Sequence, residues 1–319
     1  MEKWIIAGSV LVFILLFVLT VSYICFVRIF YASRNGKQKE KTRVTAPVVD
    51  GFAPFRSQMG EWMRQVDAMP VRELEITSFD GLRLCGRFYE YEKGAPIEIM
   101  FHGYRGNARR DLSGGVVRAF KQGRSVLIAD HRACGNSEGR VVTFGINESK
   151  DCLAWVKCVI NDIDRDARII LTGISMGAAT VMIAAGDEAL PENVVAVLAD
   201  CGYTSAEEII KNTMRDMKLP PNLLYPFARI GGKLFGNFDI DETSPIESMK
   251  KCKVPVIFLH GDRDTFVPYE MSVRNFEACA SENKKLVTIE GAGHGVAYPT
   301  DPDKYLAEIG AFFDGLLFF

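Results

Sequence analysis

The chain has 319 residues, 48% of them hydrophobic and 24% charged, with a formal net charge of −2 at pH 7. That balance describes a globular protein with one large domain or two small ones, and it leaves no overall positive field to hold nucleic acid. The near-neutral total conceals an uneven distribution, and the N-terminus shows it first.

Residues 4–27, "WIIAGSVLVFILLFVLTVSYICFV", carry no charge, and these 24 residues reach roughly 36 Å as a helix, enough to cross a hydrocarbon core of about 30 Å. A cleavable signal peptide is the competing reading, but its apolar region is usually only about 7–15 residues long. The run therefore predicts an uncleaved single-pass transmembrane helix. Lys3 precedes it, while Arg28, Arg34, Lys37, Lys39, Lys41 and Arg43 follow it. By the positive-inside tendency this places the large domain on the cytoplasmic side of the membrane. The basic stretch reads equally well as a solvated linker or as a segment resting on anionic headgroups. Eight cysteines are scattered without a CxxC or a paired spacing, which predicts neither a disulfide framework nor a metal site but reduced, buried thiols.

Residues 28–69 read as this basic linker followed by an amphipathic stretch, "FRSQMGEWMRQVDAMP", that docks on the main domain. From residue 70 to the end, 319, the chain reads as one catalytic domain. "VRELEITSF" and "LRLCGRFYEY" alternate about Asp80-Gly81 and predict an antiparallel hairpin. Six short apolar runs without alternation follow: "IEIMF", "SVLIAD", "RIILTGI", "VVAVLAD", "VPVIFLH" and "KLVTIEG". Such runs suit strands buried on both faces. Helical patterns lie between them, among them "NESKDCLAWVKCVINDI" with Asn147 as its expected cap. The alternation predicts an α/β fold, a mostly parallel eight-stranded sheet flanked by helices. Residues 205–245 break the rhythm with paired prolines, paired glycines and many apolar side chains, and they read as a small cap insertion.

The chemistry-bearing residues lie at strand exits. Ser175, in "ILTGISMGAAT", closes an apolar run and opens a helix of small residues, the context that G-x-S-x-G requires of a nucleophile. The Met176 N–H, at that helix's N-terminus, points toward developing negative charge. "MFHGYRGN" follows an earlier strand directly, and its Tyr104 N–H is the expected second oxyanion-hole donor. A serine hydroxyl needs a base. Of the four histidines, His102 and His131 precede the serine, His260 at a strand terminus leaves room for no acid before it except Asp200, and His294, in "GAGHG" after the last strand, comes last and is the expected base. Asp264, in "LHGDRDTFVP", is the first candidate for that acid. Asp262 reads as turn support, and Asp200, at the end of "VVAVLAD", is the rival.

Taken together, "HGYRGN", "GISMG", "HGDRDTFVP" and "GAGHG" make the chain resemble an α/β-hydrolase over roughly residues 70–316. Its layout is similar to that of membrane-anchored bacterial esterases and serine aminopeptidase-like hydrolases. A fifth segment, "DHRACGNSEG", is similar to the family's D-x-R-x-x-G-x-S-x-G loop, in which Asp130 and Arg132 are implied to be structural. The resemblance implies catalysis with no metal and no organic cofactor. It also disfavours a dehalogenase or epoxide hydrolase, whose nucleophile is an aspartate. Some relatives carry the triad acid at the position of Asp200, which keeps that alternative open.

The expectation is a serine hydrolase acting on a carboxylic ester or thioester of a small-molecule or lipid-like acyl substrate. An amide hydrolase of the aminopeptidase kind is the nearest alternative. A catalytically idle, membrane-tethered binding protein is the alternative from another class, and the complete set of Ser175, Asp264 and His294 argues against it.

Overall fold

A computed structural model of the protein describes residues 2–32 and 50–317. The basic positions from Arg34 to Arg43 lie outside the described residues, whereas Arg28 closes the first helix. Asp80-Gly81 turns the chain between β1 (Arg72–Thr77) and β2 (Arg83–Tyr89), which pair antiparallel, with Gly81 at φ +86°. The six apolar runs become β3 (Ile97–Phe101), β4 (Ser125–Ala129), β5 (Ile169–Ile174), β6 (Val194–Asp200), β7 (Val256–Gly261) and β8 (Lys284–Ile289). All eight strands form one sheet in the order β1-β2-β4-β3-β5-β6-β7-β8, parallel from β4 through β8. Every residue of β3, β4 and β7 is buried, because helices cover both faces and no position needs to meet water.

On one face lie α4 (Ile146–Cys158), α5 (Met176–Ala185) and α9 (Tyr269–Ala278), packed on Leu127, Leu171, Val197 and Phe258. On the other lie α3 (Ala108–Lys121) and α11 (Pro302–Leu317), with α2 (Arg56–Asp67) riding on α3. This is the architecture the resemblance implied. Charged groups are buried in pairs or clusters: Glu98 of β3 is fully buried and meets the buried Arg118 at 2.5 Å and Arg124 at 2.8 Å. Burial would raise its pKa, but the two guanidiniums outweigh that and hold it at about 2.

The cap of α4 differs from the sequence expectation. Asn147 lies inside the helix, and Gly145 precedes the first turn. The Thr143 hydroxyl accepts from the Asn147 N–H, while the Glu148 carboxylate accepts from the N–H groups of Thr143 and Gly145. An acidic side chain reaching back satisfies more free donors than the Asn147 amide would, which is why the helix starts earlier.

The insertion between β6 and β7 holds α6 (Ala206–Asp216) and α7 (Pro221–Gly236), followed by the short α8 (Pro245–Met249). α6 packs on the domain, whereas α7 turns apolar side chains to the N-terminal helix α1 (Glu2–Ile29). Phe17 meets Phe227 edge-on, Tyr23 meets Phe235, and a Cβ at Gly231 would stand 2.4 Å from the Ser22 carbonyl. Trp4 through Phe17 of α1 are exposed, whereas Ser22, Cys25, Phe26 and Phe30 are buried against the domain. The helix therefore has an outer apolar half and an inner half that belongs to the core.

Candidate active site

Ser175 sits where β5 ends and α5 begins, with φ 57° and ψ −113°. A non-glycine residue in that region is strained, and the neighbouring backbone fixes it there. The flanking glycines are required by contact. A Cβ at Gly173 would lie 2.1 Å from the Gly177 backbone, and one at Gly177 would lie 2.1 Å from the Phe101 carbonyl. No side chain fits either gap, so the strand and the helix can approach closely enough to lift the serine above the sheet.

The loops after β7 and β8 deliver the other two groups. Ser175 Oγ lies 3.0 Å from His294 Nε2, and His294 Nδ1 lies 2.7 Å from Asp264 Oδ2. Burial would raise the Asp264 pKa, but hydrogen bonds from His260 and His294 and the attraction of both rings bring it down to about 2. An ionised Asp264 accepts from Nδ1–H, which leaves Nε2 as the acceptor for the Ser175 hydroxyl. Asp264 Oδ1 accepts from the Phe266 and Val267 N–H groups at 2.9 Å each, so the carboxylate is held from both sides.

The rival acid goes elsewhere. Asp200 Oδ2 accepts from the Tyr305 hydroxyl at 2.9 Å and makes no hydrogen bond to His294. Asp262 supports the turn as expected, accepting from the Gly291 N–H at 2.7 Å.

The loop carrying Tyr104 passes beside the serine: a Cβ at Gly103 would lie 3.7 Å from Ser175 Cβ. Met176 is the first residue of α5, where N–H groups have no intrahelical acceptor. His102 shapes the loop from within. Its Nδ1 donates to the Gly103 carbonyl at 2.8 Å, and its Nε2 accepts from the His131 N–H at 3.1 Å. Asp130 accepts from the Ala108 N–H at the start of α3 and from the Asn136 N–H, both at 3.0 Å. Arg132 is bidentate to Asp151 at 2.7 Å and also reaches Asp80 at 2.9 Å, tying the loop to α4 and the hairpin.

Three features were not legible in the sequence. His260 Nε2 donates to Asp264 Oδ2 at 3.0 Å and to the Val267 carbonyl at 2.9 Å, while its Nδ1 accepts from the Ser272 hydroxyl at 2.6 Å. It is a second histidine on the acid, and its place at a strand end was the only signal. The Tyr104 hydroxyl donates to the Ile29 carbonyl at 2.5 Å, joining the loop to α1. Finally, a cavity of about 420 Å³ opens on Ser175 and His294, and its apolar wall comes from Phe52, Met59 and Trp62 together with Met100, Ile174 and Tyr298. Residues 205–245 contribute nothing to that lining. The apolar side chains Phe227 and Phe235 of the insertion pack on α1 instead. The amphipathic segment expected only to dock supplies the wall, because Trp62 lies against Gly114, where a Cβ would stand 2.7 Å from the ring.

Ligand atoms of Cys201, Asp264 and His294 lie within 4.8 Å of one another. Burial pushes the Cys201 thiol well above its usual range, and Asp264 and His294 already satisfy each other. The set suits a hydrogen-bonded relay better than a cation. All eight cysteines are buried and unpaired by disulfides.

Residues 142–317 match the model of the prolyl oligopeptidase family. Among curated proteins, the uncharacterised YqkD of Bacillus subtilis is 29% identical over 195 residues, covering 61% of this chain and 63% of its own length. Protein bem46 of Schizosaccharomyces pombe is 24% identical over 209 residues, 64% of this chain and 63% of that protein. The chain thus spans about 63% of the length of these relatives. An esterase of Pyrococcus furiosus is similar in structure, with a TM-score of 0.66 at 25% identity, over 79% of this chain and 94% of that one.

Proposed function

The chain belongs to the prolyl oligopeptidase family within the α/β-hydrolase superfamily, and from that premise we propose that it is a serine hydrolase that cleaves carboxylic esters or thioesters through an acyl-enzyme. The observation that carries the proposal is the continuous relay from Ser175 to His294 to Asp264, with contacts of 3.0 and 2.7 Å. In this reading the Ser175 oxygen attacks the substrate carbonyl as His294 Nε2 takes its proton. The ionised Asp264 fixes the ring tautomer and stabilises the imidazolium. The N–H groups of Met176 and Tyr104 receive the oxyanion, each contributing up to about 3 kcal/mol. His294 returns the proton to the leaving group, and water repeats the cycle to release the acid. The residues present supply nucleophile, base and oxyanion donors by themselves, so no cofactor is assigned.

The acyl group enters the cavity walled by Phe52, Met59 and Trp62, and that apolar wall supports an ester or thioester with a hydrocarbon chain. Membership of a peptidase family favours one second reading, hydrolysis of an amide. We also propose that α1 anchors the protein in a membrane, with residues 70–319 as the catalytic domain on the cytoplasmic side.

Labelling of the purified full-length protein by a fluorophosphonate probe, lost in Ser175→Ala, tests the enzyme reading, and absence of labelling in folded wild type overturns it. Rates on matched acyl esters, thioesters and aminoacyl amides choose between the two substrate readings. Protease added to intact cells tests the placement, since removal of the domain would reverse it.

A further inference from the structure

The cavity that opens on Ser175 also reaches a carboxylate that the proposed relay does not use. Asp200 is 3% exposed and lines that cavity, and it ends the strand next to β5, paired in register with Ile174 just before the nucleophile. Its Oδ2 accepts from Tyr305, but its Oδ1 has no partner among the described residues. The other buried carboxylates near the cavity are fully engaged: Glu98 by two arginines and Thr172, and Asp264 by two histidines and two N–H groups. A buried acceptor without a donor is unfavourable unless something else supplies one.

We propose that Asp200 Oδ1 is a substrate subsite that accepts a hydrogen bond from a hydroxyl group on the part of the substrate held in the cavity. The substrate class is then a hydroxylated ester or thioester, apolar along most of its length, rather than a plain hydrocarbon acyl ester. A hydroxyl fits better than an ammonium because Arg118 lines the same cavity. A cation drawn to Asp200 would share the cavity with that like charge, whereas a neutral donor meets no such penalty. Tyr305 occupies Oδ2, which leaves Oδ1 as the carboxylate oxygen still free to accept. Burial raises the Asp200 pKa to about 6, which leaves the carboxylate mainly ionised at neutral pH and a strong acceptor.

The inference rests on Ser175 being the nucleophile, and the test separates the two ideas. Purified full-length protein is assayed on an acyl ester series in which each member is paired with analogues carrying one hydroxyl at successive carbons, and with the matching amines. The subsite predicts that at least one hydroxylated analogue exceeds its parent by on the order of tenfold in kcat/KM. Asp200→Ala is expected to bring the kcat/KM ratio of that hydroxylated analogue to its parent down to about one. Asp200→Asn, whose amide oxygen still accepts, is expected to keep part of it, and this nearly isosteric variant covers the case in which the alanine form does not fold. Hydrolysis of the parents with no preference for any hydroxylated analogue overturns the subsite and leaves the hydrolase reading intact. A preference for amines over alcohols also overturns it. No turnover of any ester removes the function on which it rests.

Discussion

The Tyr104 hydroxyl donates to the Ile29 carbonyl at 2.5 Å, so the loop proposed to hold the oxyanion is fastened to the end of the apolar N-terminal helix. Arg105, at φ 50°, reinforces the tie by donating to the Tyr31 carbonyl at 2.8 Å and the Arg28 carbonyl at 3.2 Å. The Arg28 and Ile29 carbonyls close the helix, where they need donors from outside it and favour a cation. The helix proposed as an anchor thus also braces the site. Tyr104→Phe is expected to lower kcat about three- to tenfold, the weight of one hydrogen bond, with little change in KM. Removal of residues 1–31 is expected to cost more, because Phe30 and Phe26 leave the core as well. Kinetics of the full chain in detergent beside the truncated form would show it, and equal kcat values would disconnect the helix from the loop.

His260 shares Asp264 with His294, donating to the same oxygen from the far side. It does not reach Ser175, so its expected role is to position the acid. His260→Ala is expected to lower kcat roughly tenfold, against about 10⁴-fold for Asp264→Asn, which leaves the wrong tautomer on the base. The comparison is made on one ester at saturating substrate. A loss in His260→Ala as deep as that of Asp264→Asn would move His260 into the relay itself.

Trp62 stacks on Tyr298 at a centroid distance of 5.2 Å and walls the cavity. Trp62→Ala is expected to widen the cavity and shift kcat/KM toward longer or bulkier acyl chains, at a stability loss of about 3 kcal/mol or less because the ring is only half-buried. A chain-length series on wild type and variant checks this. An unchanged optimum would place the acyl group elsewhere.

Asp200 has a folded pKa of about 6, above its ordinary 3.8, because burial penalises the charge. A raised pKa means that the protonated form is favoured by folding. The associated stability is fully present below about pH 4 and is lost as pH rises through about 6. Asp200→Asn has no charge to bury. Its melting temperature relative to wild type is therefore expected to climb between pH 4 and pH 8, by the equivalent of on the order of 2–3 kcal/mol. A constant difference across that range would mean that Asp200 titrates as an ordinary carboxyl.

Gly177→Ala would drive a methyl group into the Phe101 carbonyl, with 2.1 Å between them and backbone on both sides. A loss of more than about 4 kcal/mol, read as insoluble or unfolded protein, is expected. Gly81→Ala, in open space on the surface hairpin, meets only its positive φ and is expected to lose about 1 kcal/mol. Comparable losses at the two sites would remove the steric account of the serine turn.

The local chemistry of the chain determined a good deal unaided. Short apolar runs without alternation, rich in β-branched residues, suit strands covered on both sides, so the sheet and its strands could be read from the sequence, and Gly-x-Ser-x-Gly at a strand end specified a sharp turn. The order of Ser175, Asp264 and His294 along the chain also narrowed the candidates to a short set. Choosing between Asp264 and Asp200 was beyond sequence, because both end strands and only the packing of α11 decides that Tyr305 occupies Asp200 while His294 swings to Asp264. The same holds for the two apolar segments. Composition marks both residues 205–245 and residues 55–70 as surfaces seeking a partner. Which one faces α1 and which one walls the cavity depends on contacts between residues far apart in sequence, such as Gly231 with Ser22 and Trp62 with Gly114. Periodicity records that a face will be buried; the partner is set by tertiary packing alone.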